Sequence, residues 1–440
     1  MYKISKFTKI IKNQKNNMLF LINTITGRIF CLKDPKVLEC IINNNLTKIK
    51  DPKLINKMVL EKIIVEIDQE EDYISELRYY DSLYDPLCNL TILPTEQCNF
   101  RCKYCYEKFN QGKMPKEIAD GIIRYLSINA RKFSGFNISW FGGEPLLAYD
   151  IIEYLSENFI KISTFFHLPY YSSMTTNGYL LDYETFLKLL DLKISSFQIT
   201  IDGTEKIHNQ TRYTKNYDST YKKIIDNLLK IKNNTKNRHF TISIRCNLTK
   251  QSIEYLDDFI KEMNMYFSGD KRFEFYFRPV GNWNGDNFQK DKILNSDKII
   301  LDKLLSNKIK LNYSSYIGLL FHQQCTTSNR NQYVIRSNGN LSKCTVYLDE
   351  SEVGEIDKNG RIKVDLQKVG KWILPVNINA CKECSFYCRC HGYSCPAKKI
   401  TSKTVNKNCG YEINSMEKII ELIRQSDEFN NTSNILYLDR

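Results

Sequence analysis

Between about residues 90 and 310, short apolar and β-branched runs alternate with longer stretches whose apolar residues recur at helical spacing. The strand candidates are LTILPT (90–95), NISWFG (137–142), YYSSMTT (170–176), SFQITID (196–202), FTISIRC (240–246) and FEFYFRPV (273–280). A helical stretch follows each, near 115–130, 148–163, 181–191, 219–232, 250–265 and 294–307. Six strand–helix units in succession imply parallel pairing through right-handed crossovers. Six rather than eight units predict an α/β fold built as an open, partial (β/α)6 TIM-like barrel. In such sheets chemistry belongs at the carboxyl ends of the strands.

The flanks carry other patterns. MLFLINTITGRIFCL reads as two short strands around a TG turn, and DPKVLECIINN and DPKLINKMVLEKIIVEID read as helices leading to a final strand. YVIRSNGNLSKC predicts a β-hairpin turning at Asn338–Gly339. SMEKIIELIRQSDEF predicts an amphipathic helix near the C-terminus. The expected organisation is 1–85, 86–310, 311–415 and 416–440.

The net charge of +13 comes from 63 Lys plus Arg against 50 Asp plus Glu. These charges are dispersed and accompany no nucleic-acid signature, so a solvated basic surface is the plainer reading. Such a surface also suits an acidic peptide or an acidic electron carrier. The apolar runs are too short for a transmembrane helix. No secretory segment opens the chain, so a cytoplasmic location is expected. Fifteen cysteines then need another account. They fall in dense clusters, which favours metal ligation over disulfides.

Cys98, Cys102 and Cys105 follow the first predicted strand at C-x3-C-x2-C spacing. Thiolates this closely spaced can wrap one soft metal centre. Three on an iron–sulfur cube leave one iron open to another ligand. The same sheet edge gathers Gly142, Gly143 and Glu144 after strand two, Asn177 after strand three, Asp202, His208 and Arg212 after strand four, and Arg245 and Asn247 at the end of strand five. Paired glycines permit unusual backbone and close approach of a ligand. Each of these turns is ordinary alone; their repetition at successive strand ends is the signal.

CNFRCKYC followed by WFGGEP, on six strand–helix units, resembles the radical S-adenosylmethionine (SAM) superfamily over roughly residues 88–310. The resemblance implies that Cys98, Cys102 and Cys105 hold a [4Fe–4S] cluster whose open iron binds SAM. It places Tyr104 near the adenine and Gly142, Gly143 and Glu144 at the methionine amino end. Asn177, Asp202, Arg212 and Asn247 become candidates for ribose, carboxylate or substrate contacts. The implied reaction is reductive cleavage of SAM to a 5′-deoxyadenosyl radical, with a flavodoxin- or ferredoxin-type electron donor.

A second cysteine field holds Cys325, Cys344, Cys381, Cys384, Cys388, Cys390, Cys395 and Cys409. Read from spacing alone it fits zinc or iron–sulfur about equally. It resembles the SPASM extension of radical SAM proteins, which carries two auxiliary [4Fe–4S] clusters, making three in all. That resemblance assigns Cys381, Cys384, Cys390 and Cys409 to the distal cluster and Cys325, Cys344 and Cys395 to the nearer one. The Cys390–Cys395 gap is one residue longer than the usual pattern, and Cys388 is additional. No cysteine stands just before Cys325, so the nearer cluster is expected to keep an open iron.

Residues 1–85 resemble the winged-helix-like leader-peptide recognition domain of many peptide-modifying relatives; a structural cap is the plainer alternative. Together these resemblances imply a maturase that crosslinks a ribosomally synthesised precursor peptide, with thioether slightly favoured over carbon–carbon bonding. An anaerobic sulfatase-maturing enzyme is the alternative. It is weakened because Thr345, not an acid, follows Cys344. From another class, a non-catalytic, zinc-stabilised peptide- or nucleic-acid-binding scaffold would also use the second cysteine field.

Overall fold

A computed structural model describes residues 1–13, 18–281, 297–321, 324–374, 379–392, 395–401, 415–425 and 435–437. It divides into two compact units, one of residues 85–312 and 327–373, the other of 1–84, 313–326 and 374–440. The expected 311–415 block is therefore shared out. Its hairpin belongs with the large sheet, and its cysteine-rich end belongs with the N-terminal region.

In the first unit, β6 (Leu87–Ile92), β7 (Gly135–Trp140), β8 (Tyr170–Thr176), β9 (Ile194–Thr200), β10 (Thr241–Leu248) and β11 (Phe273–Pro279) are the six expected strands. They pair in parallel and in sequence order. The intervening helices include Lys116–Asn129, Tyr149–Phe165, Tyr183–Asp191, Tyr221–Asn234 and Leu256–Phe267. β10 shows why the site can form. Ile242, Ile244, Cys246 and Leu248 are fully buried on one face, while Thr241, Ser243, Arg245 and Asn247 alternate onto the half-buried other face. Each buried aliphatic side chain contributes about 1.5–3 kcal/mol. Trp140 is buried against Phe159 and donates its indole N–H to Ser172 Oγ at 3.1 Å.

The same sheet continues beyond β6 through β12 (Gln332–Ile335), β13 (Asn340–Ser342), β14 (Glu352–Ile356) and β15 (Ile362–Val364). β12 pairs in parallel with β6, and the rest form an antiparallel meander. The β12–β13 hairpin turns at Gly339, whose φ of +90° is open to glycine. Its lack of a side chain also matters, since a Cβ there would meet Ile118 at 2.9 Å.

In the second unit, β2 (Thr8–Asn13), β3 (Met18–Asn23) and β4 (Arg28–Leu32) form an antiparallel sheet, and β16 (Ile435–Tyr437) pairs in parallel with β4. β1 (Tyr2–Ile4) pairs with β5 (Ile64–Glu66). The repeated Asp-Pro starts both expected helices. Asp34 accepts hydrogen bonds from the Lys36 and Val37 amides ahead of Pro35–Ile42, and Asp51 from those of Lys53 and Leu54 ahead of Pro52–Leu60. Leu38, Ile41, Leu54 and Met58 pack on Leu19, Leu21, Phe30 and Leu32 of the sheet. Helix Met416–Arg424 buries Met416, Ile419, Ile420 and Ile423.

Candidate functional site

The loop after β6 carries Cys98, Cys102 and Cys105, and backbone bonds hold it on both sides. Arg101 and Lys103 amides donate to the Tyr213 and Thr211 carbonyls at 2.9 and 3.0 Å, and the Lys215 amide donates to Asn99 at 3.1 Å. On the other side, the Glu144 amide donates to the Gln97 carbonyl at 2.9 Å. The two glycines serve that contact. A Cβ on Gly142 (φ +132°) would run into the Thr95 carbonyl oxygen, and one on Gly143 would lie 2.6 Å from the Gln97 carbonyl carbon. Their missing side chains let the β7 turn close on the backbone just before Cys98.

All three cysteines line a cavity of about 170 Å³. The Phe100 amide donates to Cys98 Sγ at 3.3 Å. Burial pushes the Cys98 and Cys105 thiols up to about 12 and raises that of Cys102. Coordination to a strongly cationic centre is what would make thiolates of such groups. Among the described residues no three His, Cys, Asp or Glu side chains converge as on a single ion. The donor set nonetheless fits a cube, because each cysteine of a cube binds a different iron.

Tyr104, Asn177, Arg212 and Asn247, with Gly142 and Gly143, line the same cavity. Tyr104 is the hub. Its hydroxyl donates to Asp202 and accepts from Arg212 Nη1 at 2.9 Å and Asn247 Nδ2 at 3.2 Å. Asp202 also accepts from the Asn247 amide at 3.0 Å. Arg212 Nε is buried without a hydrogen-bond partner, a donor suited to an anionic ligand group. Asn177 Nδ2 donates to Asn99 Oδ1 at 2.8 Å, and Cys98 Sγ lies 3.9 Å from it.

Glu144 and Asp202 are placed differently from the cavity-lining residues. Glu144 is fully buried, and its carboxylate accepts from the Leu146 amide, the Thr176 hydroxyl and the Asn177 amide. It joins the ends of β7 and β8. Burial raises the pKa of both carboxyls, against these hydrogen bonds for Glu144 and against the nearby Arg212 for Asp202. His208 lies behind the site, fully buried. Its Nδ1 accepts from the Asp202 amide at 3.2 Å, so the proton sits on Nε2, facing Thr220 Oγ1 at 3.1 Å. Burial holds its pKa well below the ordinary value.

Sequence reasoning missed the buried pair Arg336–Glu96. Arg336 on the hairpin donates from Nε and Nη2 to Glu96 at 2.8 and 3.0 Å, and from Nη1 to Asp349 at 2.6 Å. No motif marks either residue. Only the parallel pairing of β12 with β6, invisible in local pattern, brings them together.

Of the second cysteine field, Cys344 follows β13 in the large-sheet unit, while Cys325, Cys381, Cys384, Cys390 and Cys395 lie in the other. Cys409 lies outside the described residues. None of the described cysteines is in a disulfide. Cys388 is buried, with its sulfur 3.2 Å from Thr24 Oγ1. Among the described residues no helix is long and apolar enough to cross a membrane.

Residues 92–263 match the family described as the Radical SAM superfamily. The cysteine-type anaerobic sulfatase-maturating enzyme of Clostridium novyi is 24% identical over 326 residues, 67% of this chain and 84% of that one. Among solved structures, native anSMEcpe with bound AdoMet aligns with a TM-score of 0.59 at 20% identity, covering 79% of this chain and all of the other. The same protein is also known with AdoMet and the Cp18Cys peptide. Streptococcus suis SuiB bound to precursor peptide SuiA aligns with a TM-score of 0.51 at 16% identity, covering 89% and 95%.

Proposed function

From the radical SAM domain that the chain carries, we propose that it is a SPASM-type maturase acting on a ribosomally made peptide, forming a crosslink with thioether preferred. The observation that carries the reading is one cavity lined by Cys98, which is buried, by the half-buried Cys102 and Cys105, and by the Tyr104–Arg212–Asn247 cluster. Cys98, Cys102 and Cys105 would hold the [4Fe–4S] cluster. When bound, the cluster and SAM supply a 5′-deoxyadenosyl radical. Tyr104, Arg212 and Asn247 would orient SAM in the cavity, with the free Arg212 Nε offered to a carboxylate. Asn177 stands beside Cys98. Glu144 and Asp202 position these groups from behind.

The peptide reading is supported by Cp18Cys and SuiA, the peptides seen with two structural neighbours, and by the small sheet of residues 8–32, an architecture to which an extended chain can add as a further strand. Cys381, Cys384, Cys390 and Cys409 are proposed for one auxiliary cluster, and Cys325, Cys344 and Cys395 for another. Coexpression with a cysteine-containing precursor and mass spectrometry tests the reading. A crosslink removes two hydrogens: one atom would leave on 5′-deoxyadenosine and the other as a proton, and the proposed auxiliary cluster would supply the acceptor for its electron. An unmodified peptide, under conditions where SAM is cleaved, would overturn it.

Sulfatase maturation is the second reading. Thr345 lines a small cavity together with Glu107, Asp349 and Glu350, so an acid is at hand although none directly follows Cys344. That activity would replace a substrate cysteine's sulfur by oxygen with loss of two hydrogens, which the same mass spectrum separates from a crosslink.

A further inference from the structure

The N-terminal sheet runs β16-β4-β3-β2, and its two sides are unlike. β2, at one end, carries Lys9 and Lys12. Lysines on an edge strand oppose pairing with a further strand. β4, at the other end, reads Arg28-Ile-Phe-Cys-Leu32, and its last four residues carry no charge, proline or bulge. Such an edge invites a partner. This chain covers it with its own C-terminal segment: Ile435, Leu436 and Tyr437 stand in parallel register with Ile29, Phe30 and Cys31. Among the described residues this strand pairs through three residues only, a weak hold on a sheet. The rest of the sheet does not depend on it, because Phe30 and Leu32 pack against the core built by the helices of residues 35–60.

We propose that β16 is a removable cover, and that an extended peptide with apolar residues pairs in parallel with β4 in its place. The tail would then hold the edge closed until substrate arrives. The proposal rests on the reading that this sheet captures the peptide, and it adds what occupies the edge beforehand.

The test uses a fluorescent synthetic peptide with the sequence of Asn431–Arg440, so no precursor need be known. Two forms of the protein are compared with the full chain. One ends at Ser433. The other is the full-length double variant Leu436→Pro/Tyr437→Pro; successive residues of a parallel strand point their amides to opposite sides, so one of the two prolines removes a β4-facing N–H. Both should bind the peptide at least tenfold more tightly than the full chain and should cleave SAM normally. Amide exchange at Ile29–Leu32 should accelerate in both and slow again when the peptide is added. Equal binding by all three proteins, no binding by any, or protection of Thr8–Asn13 instead of β4 would overturn the proposal. A failed maturase reading would show as unmodified precursor and would leave this binding intact.

Discussion

Tyr104 concentrates the site's polar contacts into one hydroxyl. Replacing it with Phe leaves Asp202, Arg212 and Asn247 each short of a partner inside a buried cluster. We expect a loss of about 1–3 kcal/mol and weaker SAM binding, measurable by denaturant unfolding and calorimetry. Gly143→Ala tests a different cause. The added methyl has no room, since besides the Gln97 carbonyl it meets the Glu96 oxygen at 2.7 Å. The backbone before Cys98 must move, so the variant should keep its circular dichroism and lose iron from the Cys98 site. The GG pair was legible in sequence as special backbone; its reason was not, because the contacting carbonyls come from a strand end some 45 residues earlier. His208 gives a pH signature. Its folded pKa lies below the unfolded value of about 6.5. The unfolded chain therefore binds more protons, so stability is complete above about pH 6.5 and falls as the pH drops. His208→Gln should flatten that fall in urea midpoints measured from pH 7.5 to 5.

At the scale of elements, the barrel strands were readable because alternation and helical spacing are local signals. LTILPT, NISWFG and SFQITID each extend two or three residues past the observed strand ends, into the loops that carry the site. The hairpin at Asn338–Gly339 was readable for the same reason. What sequence withheld was its docking in parallel on β6, and with it the Arg336–Glu96 pair. Both partners are buried, and removing one leaves the other charge uncompensated. Arg336→Met should cost about 3–5 kcal/mol, and the double change Glu96→Leu/Arg336→Met should recover much of it. Urea unfolding of the unaltered protein and both variants checks this; equal losses in the single and double variants would show that packing, not charge, is at stake.

At the scale of the molecule, the cysteine fields announced themselves by density, but their grouping by unit did not. Residues 1–84 and 374–440 share one compact unit. Within it the Thr24 hydroxyl lies 3.1 Å from the Phe7 carbonyl oxygen and 3.2 Å from Cys388 Sγ, and Tyr79 packs on His391 at 5.0 Å. Removing 1–85 would therefore strip support from the Cys381–Cys395 segment, and the strand-edge variants above separate peptide capture from that support.

The proposed function stands on Cys98, Cys102 and Cys105 holding a SAM-cleaving cluster. Anaerobic reconstitution, reduction in the presence of SAM and quantification of 5′-deoxyadenosine test it most directly. The intact protein should form 5′-deoxyadenosine and methionine in equal amounts, and a protein with Ala at all three positions should form neither while keeping iron elsewhere. Intact SAM with the reduced, fully reconstituted protein, or unchanged cleavage by the triple variant, would contradict the account.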